Sequence, residues 1–111
     1  MIFEEGITLT AAESWCTAYG DELIMQTDGN LVLYGTSGAL WNSGTEGHPG
    51  GTAVMQTDGN FVVHNSAGTA LWSTNTEGHP GAVLRMQSDG NLVVAAPNGT
   101  AEWNSQTENR H

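Results

Sequence analysis

Apolar and polar residues alternate along three similar ten-residue stretches of the chain, at residues 25–34, 55–64 and 86–95. Each stretch contains an apolar run, the turn signal Asp-Gly-Asn and then a run of β-forming residues, which together predict a β-hairpin. Their glutamines, Gln26, Gln56 and Gln87, follow one another at nearly equal intervals. Because three near-copies occupy much of a 111-residue chain, the pattern indicates a repeat architecture.

The side-chain pattern of the first stretch indicates the length of its turn. A two-residue loop of Asp28 and Gly29 would place Gln26 and Asn30 on opposite faces. A three-residue loop from Thr27 to Gly29, with the glycine at positive φ in a bulge, pairs Gln26 with Asn30. We predict the three-residue loop, because it separates a polar face from an apolar one. The polar face then carries Gln26, Asn30, Val32 and Tyr34, and the apolar face carries Met25, Leu31 and Leu33.

The polar face has the chemistry that a sugar requires. Two amides, a phenol and the Asp28 carboxylate both donate and accept hydrogen bonds around a small aliphatic surface. The alternative is an ordinary solvated face whose Asp and Asn only form the turn. Turn chemistry does not require the glutamine or the valine, and all three stretches keep both. The repetition therefore favours a binding face.

The pattern Gln26-x-Asp28-x-Asn30-x-Val32-x-Tyr34 resembles the mannose-binding motif of the bulb-type (monocot) mannose-binding lectins, the B-lectin domain family. The resemblance covers nearly the whole chain, including the recurring Leu-Trp-x-Ser/Thr strands. It implies an all-β fold, the β-prism II, with three four-stranded antiparallel sheets and pseudo-threefold symmetry. We expect one domain, 1–111, built of three repeats at about 1–34, 35–65 and 66–105, with a short polar tail.

The resemblance also implies one carbohydrate-binding site on each sheet. In the family, the Asp and Asn bind the O2 hydroxyl of mannose, the Gln binds O3, the Tyr binds O4, and the Val packs on the ring carbons. Carried over by position, the first site comprises Gln26, Asp28, Asn30, Val32 and Tyr34, the second comprises Gln56, Asp58, Asn60, Val62 and His64, and the third comprises Gln87, Asp89, Asn91 and Val93.

The last position of the motif differs among the three sites. His64 replaces the tyrosine in the second site, where its imidazole could still bond a hydroxyl and make binding depend on pH. Ala95 offers no polar partner in the third site. We therefore expect affinity to fall from the first site to the second and the third.

These observations predict a lectin that recognises mannose, mannosides and high-mannose glycans through shallow, repeated sites, and so binds multivalently. Two alternatives remain open: a targeting domain of a lectin-like bacteriocin or toxin, and a non-binding structural β-prism scaffold. An enzyme is not expected. The motif aspartates occur once per repeat on separate faces, and the sequence shows no Ser/His/Asp or Cys/His arrangement.

The charge and hydropathy of the chain argue against some classes of binding partner. Twelve acidic residues stand against two basic ones, for a net charge of −10, which argues against nucleic acid and anionic membranes as partners. No apolar run approaches transmembrane length, so membrane insertion is not expected. Residues 1–5 lack the basic and apolar regions of a signal peptide. Localisation therefore stays open between the cytoplasm and secretion by processing or another route.

Four further residues carry structural expectations. Cys16 is the single cysteine, so no intrachain disulfide can form, and we expect it to be a small buried side chain.

Trp41, Trp72 and Trp103 follow one another at equal intervals. A bulky aromatic at the same place in each repeat suits a threefold core better than it suits sugar stacking, because the binding motifs lie on other strands.

The loops at 45–50 and 76–81 contain candidate metal ligands. Each has one histidine, His48 or His79, with a nearby glutamate. Equivalent places in successive repeats should lie on different sheets and not converge, so we expect no metal and no cofactor. The strand around Trp103 should close the prism. The resemblance to the bulb-type lectins, some of which form dimers in this way, implies the alternative that it exchanges with a second chain and gives a homodimer by C-terminal strand exchange.

Overall fold

A computed structural model describes residues 2–3, 7–10, 12–17, 20–87 and 89–107 of the chain. These residues form twelve β-strands. The strands are β1 (Ile2–Phe3), β2 (Thr8–Leu9), β3 (Ser14–Cys16), β4 (Glu22–Met25), β5 (Leu31–Gly35), β6 (Gly38–Asn42), β7 (Thr52–Met55), β8 (Phe61–His64), β9 (Ala70–Ser73), β10 (Val83–Met86), β11 (Leu92–Ala95) and β12 (Ala101–Asn104).

The strands form three four-stranded antiparallel sheets, which confirms the predicted β-prism fold. Their orders are β3-β4-β5-β6, β2-β7-β8-β9 and β1-β10-β11-β12; we call them the first, second and third sheets. Each sheet contains one predicted hairpin, the tryptophan strand that follows it, and one short strand from the N-terminal segment. The N-terminal segment thus supplies one edge strand to each sheet in turn.

The repeat boundaries at residues 34 and 65 remain a prediction about sequence units, and the sheets divide the chain differently. Strand β6 pairs with β5 of the first sheet, although it follows residue 34. Strand β9 likewise pairs with β8. Each tryptophan strand therefore belongs structurally to the hairpin before it.

The apolar faces of the hairpins form the core, as predicted. Met25, Leu31 and Leu33 are buried, and they join one hydrophobic cluster with the equivalent residues of the other two hairpins. No single sheet could bury such a face by itself, so the three sheets stabilise one another. The same packing leaves the opposite face of each hairpin directed outward.

Trp41, Trp72 and Trp103 meet one another against this core. Their ring centroids are 5.2, 5.5 and 5.6 Å apart, and every pair has an edge-to-face arrangement. Such pairs stabilise beyond the area they bury. Three nearly equal distances give the pseudo-threefold arrangement that the equal spacing of the tryptophans in the sequence predicts.

The expectation that Cys16 is buried is wrong. Its side chain is exposed, because alternation along β3 turns Trp15 toward the core and Ser14 and Cys16 outward. The outward direction follows from the pleat of a strand, in which successive side chains point to opposite faces.

Among the described residues, no helix is long and apolar enough to cross a membrane.

Candidate functional site

The turn of the first hairpin has the predicted three-residue loop. The Gln26 N–H donates to the Asn30 carbonyl at 2.9 Å, and the Gly29 N–H donates to the Gln26 carbonyl at 3.0 Å. Gly29 has a φ of 91°, a value that glycine adopts without steric cost. Met25 is paired with Leu31, so the predicted register is confirmed. The same bonds recur in the second and third hairpins.

The first site places its predicted side chains in two hydrogen-bonded pairs. The Gln26 Nε2 group donates to the Tyr34 hydroxyl at 2.6 Å. The Asp28 Oδ1 atom accepts from the Asn30 N–H at 2.9 Å. Val32 lies between the two pairs on the outward face, but only 3% of its surface is exposed. The surface available to a ligand is therefore mostly polar.

The Asn30 side chain has a structural role that the sequence did not reveal. Its Oδ1 atom accepts from the Ser43 hydroxyl at 3.3 Å, from the Gly44 N–H at 3.1 Å and from the Thr45 N–H at 3.2 Å. The Thr45 hydroxyl in turn donates to the Gly29 carbonyl at 2.7 Å. We call Ser43 and Thr45 the clip, because together they join the loop after β6 to the hairpin turn.

The clip is present in all three repeats. Its equivalents are Thr74 and Thr76 at Asn60, and Ser105 and Thr107 at Asn91. The signal in the sequence is a Ser/Thr-x-Thr pattern that begins two positions after each of the three equally spaced tryptophans. This pattern does not by itself indicate the contact, because hydroxyl residues after a strand are common and their partner Asn30 lies in a different turn.

The clip determines which groups of the first site remain for a ligand. With Asn30 Oδ1 and Asp28 Oδ1 engaged, the Asn30 Nδ2 group remains as a donor and Asp28 Oδ2 as an acceptor; neither has a partner among the described residues. The Tyr34 hydroxyl accepts from Gln26 and keeps its own hydrogen to donate. Gln26 Oε1 remains a further acceptor. Donors and acceptors thus alternate along the outward face.

The second and third sites repeat the Asp–Asn pair but not the Gln–Tyr pair. The Asn60 N–H donates to Asp58 Oδ1 and the Asn91 N–H donates to Asp89 Oδ1, both at 3.0 Å. His64 is half-buried on the outward side of β8. Gln56 and Gln87 are half-buried beside these turns, and Val62 and Val93 are as covered as the valine of the first site.

The third site lacks a polar group at its far end. Ala95 is 1% exposed and pairs across the sheet with Val83. The equivalent pairs in the other sheets are Glu22 with Tyr34, and Thr52 with His64. The three sites therefore share one end of the motif and differ at the other.

The two histidine loops lie over the turns of the hairpins that precede them. The His48 N–H donates to the Asp28 carbonyl at 2.9 Å, and the His79 N–H donates to the Asp58 carbonyl at 3.0 Å. His79 also lies 3.5 Å from the Glu102 carboxylate. Within the described part of the chain, no group of three or more metal-ligating side chains is present.

A cavity of about 350 Å³ lies beside the first site. It is lined by Ala12, Ile24, Gln26, Thr27 and Asp28. Gln26 and Asp28 belong to the first site, and Ala12 precedes β3, so the cavity extends the site toward the edge of the sheet. Ala12 and Ile24 make part of its lining aliphatic.

Several solved structures are similar to this chain along most of its length. The monomeric monocot mannose-binding lectins from Gastrodia elata are 36% identical, with a TM-score of 0.88 over 96% of this chain and 97% of that one. A lectin from Allium sativum is 41% identical, with a TM-score of 0.79 over 86% of this chain and 92% of that one. The mannose-specific agglutinin from snowdrop (Galanthus nivalis) bulbs, complexed with methyl-α-D-mannoside, is 36% identical, with a TM-score of 0.80 over 96% of each chain.

A scan against protein-family models and a search of curated proteins found no match. The fold, the repeated motif and sequence identities of 36% and 41% over most of the chain nevertheless define its class. The chain belongs to the bulb-type, or monocot, mannose-binding lectin family.

Proposed function

We propose that this protein is a lectin that binds mannose and mannose-containing glycans through the outward faces of its hairpins. The observation that carries the proposal is the order of free groups on the first site. Asp28 Oδ2 and Asn30 Nδ2 offer an acceptor next to a donor, which matches a single hydroxyl that both donates and accepts. Gln26 and Tyr34 offer a second such pair for the next hydroxyl.

The form of the sites indicates weak binding of single sugars and stronger binding of larger glycans. Each site lies on the open face of a sheet, so a monosaccharide stays partly exposed to water. Several sites on one molecule can engage the branches of a high-mannose glycan, which raises the overall affinity through effective concentration. At the first site, the neighbouring cavity also leaves space for a second sugar ring.

The three sites should differ in affinity in the order first, second, third. Tyr34→Phe removes a donor to the ligand and the acceptor of Gln26, so affinity of the first site for methyl α-mannoside should fall by about 2- to 12-fold. Titration calorimetry measures this change. His64→Ala and Asp89→Ala are the comparisons at the other two sites, and the order is wrong if Asp89→Ala weakens mannoside binding most.

The competing functions have separate tests. A glycan array with free mannose as competitor distinguishes a lectin from a scaffold, since a scaffold gives no signal that mannose inhibits. We propose a binding protein without catalysis, and release of reducing sugar from mannan would contradict it. A targeting role for a bacteriocin or toxin requires the same sugar binding together with selective attachment to bacterial cells.

A homodimer formed by exchange of the C-terminal strand remains a proposal. In this chain β12 already pairs with β11, so each sheet has four strands without a second copy. Exchange would replace these bonds with equivalent ones and would need only a different path for the segment before β12. Light scattering at several concentrations tests this, and a constant mass near 11.7 kDa would contradict the dimer.

A further inference from the structure

The third site contains a cation where the other two sites have an aliphatic side chain. Arg85 pairs across the sheet with Val93 of the third motif. Ile24 and Val54 occupy the equivalent positions in the first and second sheets. Leu84 and Met86 are buried, so alternation along β10 places Arg85 on the outward face.

Arg85 has no electrostatic partner in the described part of the chain. It is half-buried, and its Nε atom is buried without a hydrogen-bond partner. Arg85 is the only Lys or Arg among the described residues, and the ion pair between His79 and Glu102 does not involve it. Burying a guanidinium nitrogen without an acceptor is unfavourable. The charge of Arg85 is therefore poorly compensated within the described residues, and an anionic ligand that reaches the rest of the guanidinium group would compensate it.

The surroundings of Arg85 favour a ligand that differs from a neutral mannoside. Ala95 and Val83 leave the far end of the third site without the polar pair that Tyr34 or His64 supplies elsewhere. A planar guanidinium binds carboxylate or phosphate oxygens through two parallel hydrogen bonds, which makes these groups its preferred partners.

We infer that the third site binds an anionic saccharide, a sugar that carries a phosphate or a carboxylate, with Arg85 holding the anionic group. The inference rests on the proposed function, because Asp89 and Asn91 must still hold a sugar hydroxyl. The anionic group must point away from the Asp89 carboxylate. Arg85 and Gln87 are two residue steps apart on the strand, which separates them by roughly 7 Å before the turn begins.

Methyl-resolved NMR on the full chain tests this inference site by site. The Val93 and Ala95 methyl groups report the third site, and the Val32 methyl groups report the first. We expect mannose 6-phosphate to shift the Val93 signals with a dissociation constant about three- to tenfold lower than that of methyl α-mannoside. Mannuronate should show the same preference, and inorganic phosphate alone should bind more weakly than either.

Two substitutions separate the charge of Arg85 from its packing. Arg85→Met keeps a long apolar stem and should abolish the preference for the anionic sugar while leaving the response of Val32 to methyl mannoside unchanged. Arg85→Lys keeps the charge without the planar group and should retain part of the preference. A preference that survives Arg85→Met, or equal responses of Val93 to both sugars, would overturn the inference.

The remaining outcomes distinguish this inference from the proposed function. If Val93 responds to no sugar while Val32 responds to mannoside, the third site is not a saccharide site and the lectin function stands. If inorganic phosphate matches the sugar phosphate, Arg85 binds a free anion and the saccharide assignment fails. If neither Val32 nor Val62 responds to mannoside, the proposed function itself fails.

Discussion

Replacing Asn30 with alanine is expected to lower the free energy of unfolding by about 2–4 kcal/mol and to abolish sugar binding at the first site. The substitution removes the acceptor of three hydrogen bonds, from Ser43, Gly44 and Thr45. Thr45 is buried, so its N–H would be left without a partner away from water. Thermal or denaturant unfolding and titration with methyl α-mannoside measure the two effects.

Two variants separate the structural role of Asn30 from its contact with the ligand. Asn30→Asp keeps an acceptor for the three donors, so it should lose no more than about 1 kcal/mol of stability while sugar binding fails for want of the Nδ2 donor. Asn60→Ala breaks the equivalent bonds in the second hairpin and should destabilise comparably while the first site still binds. Equal binding by Asn30→Asp and the wild type would contradict the donor role.

Replacing Gly29 with alanine should cost about 3 kcal/mol or more of stability, because two unfavourable effects add. Its φ of 91° is strained for any residue with a Cβ. A Cβ atom there would also overlap the carbonyl group of His48, whose carbon would lie only 2.7 Å away. The backbone at His48 cannot move away easily, since the His48 N–H donates a hydrogen bond to the Asp28 carbonyl. Denaturant unfolding measures the loss.

Gly68→Ala is the matched control for this steric overlap. Gly68 has a similar φ of 86°, and nothing lies within 4 Å of the Cβ that it would gain. This control should therefore show only the conformational cost, about 1 kcal/mol. If the two variants lose the same stability, the histidine loop does not pack on the first turn as described.

The hairpins were predictable because their information is local. Strict alternation around Asp28 and Gly29 left one register in which Met25 and Leu31 share the apolar face, and that register is the one observed. The Asp–Asn end of each site followed directly, since the turn itself holds both residues. Even so, alternation could not reveal that Val32 is almost fully covered, because coverage depends on neighbouring strands.

Cys16 shows where residue type alone misleads. A free cysteine is usually buried, yet its position on β3 places it on the outward side of an edge strand. The direction of a side chain in so short a strand depends on its pairing, here with Glu22. That pairing is a tertiary property.

The sequence by itself determined the three hairpins, their two faces and the kind of chemistry that the outward faces offer, because a period of two and a glycine turn are local features. The tertiary structure decided how the sheets are completed: β1, β2 and β3 join the third, second and first sheets. Strands as short as these carry no pattern that identifies their partners. The tertiary structure also decided the orientation of the Asn30 amide, since its partner Thr45 lies 15 residues away along the chain.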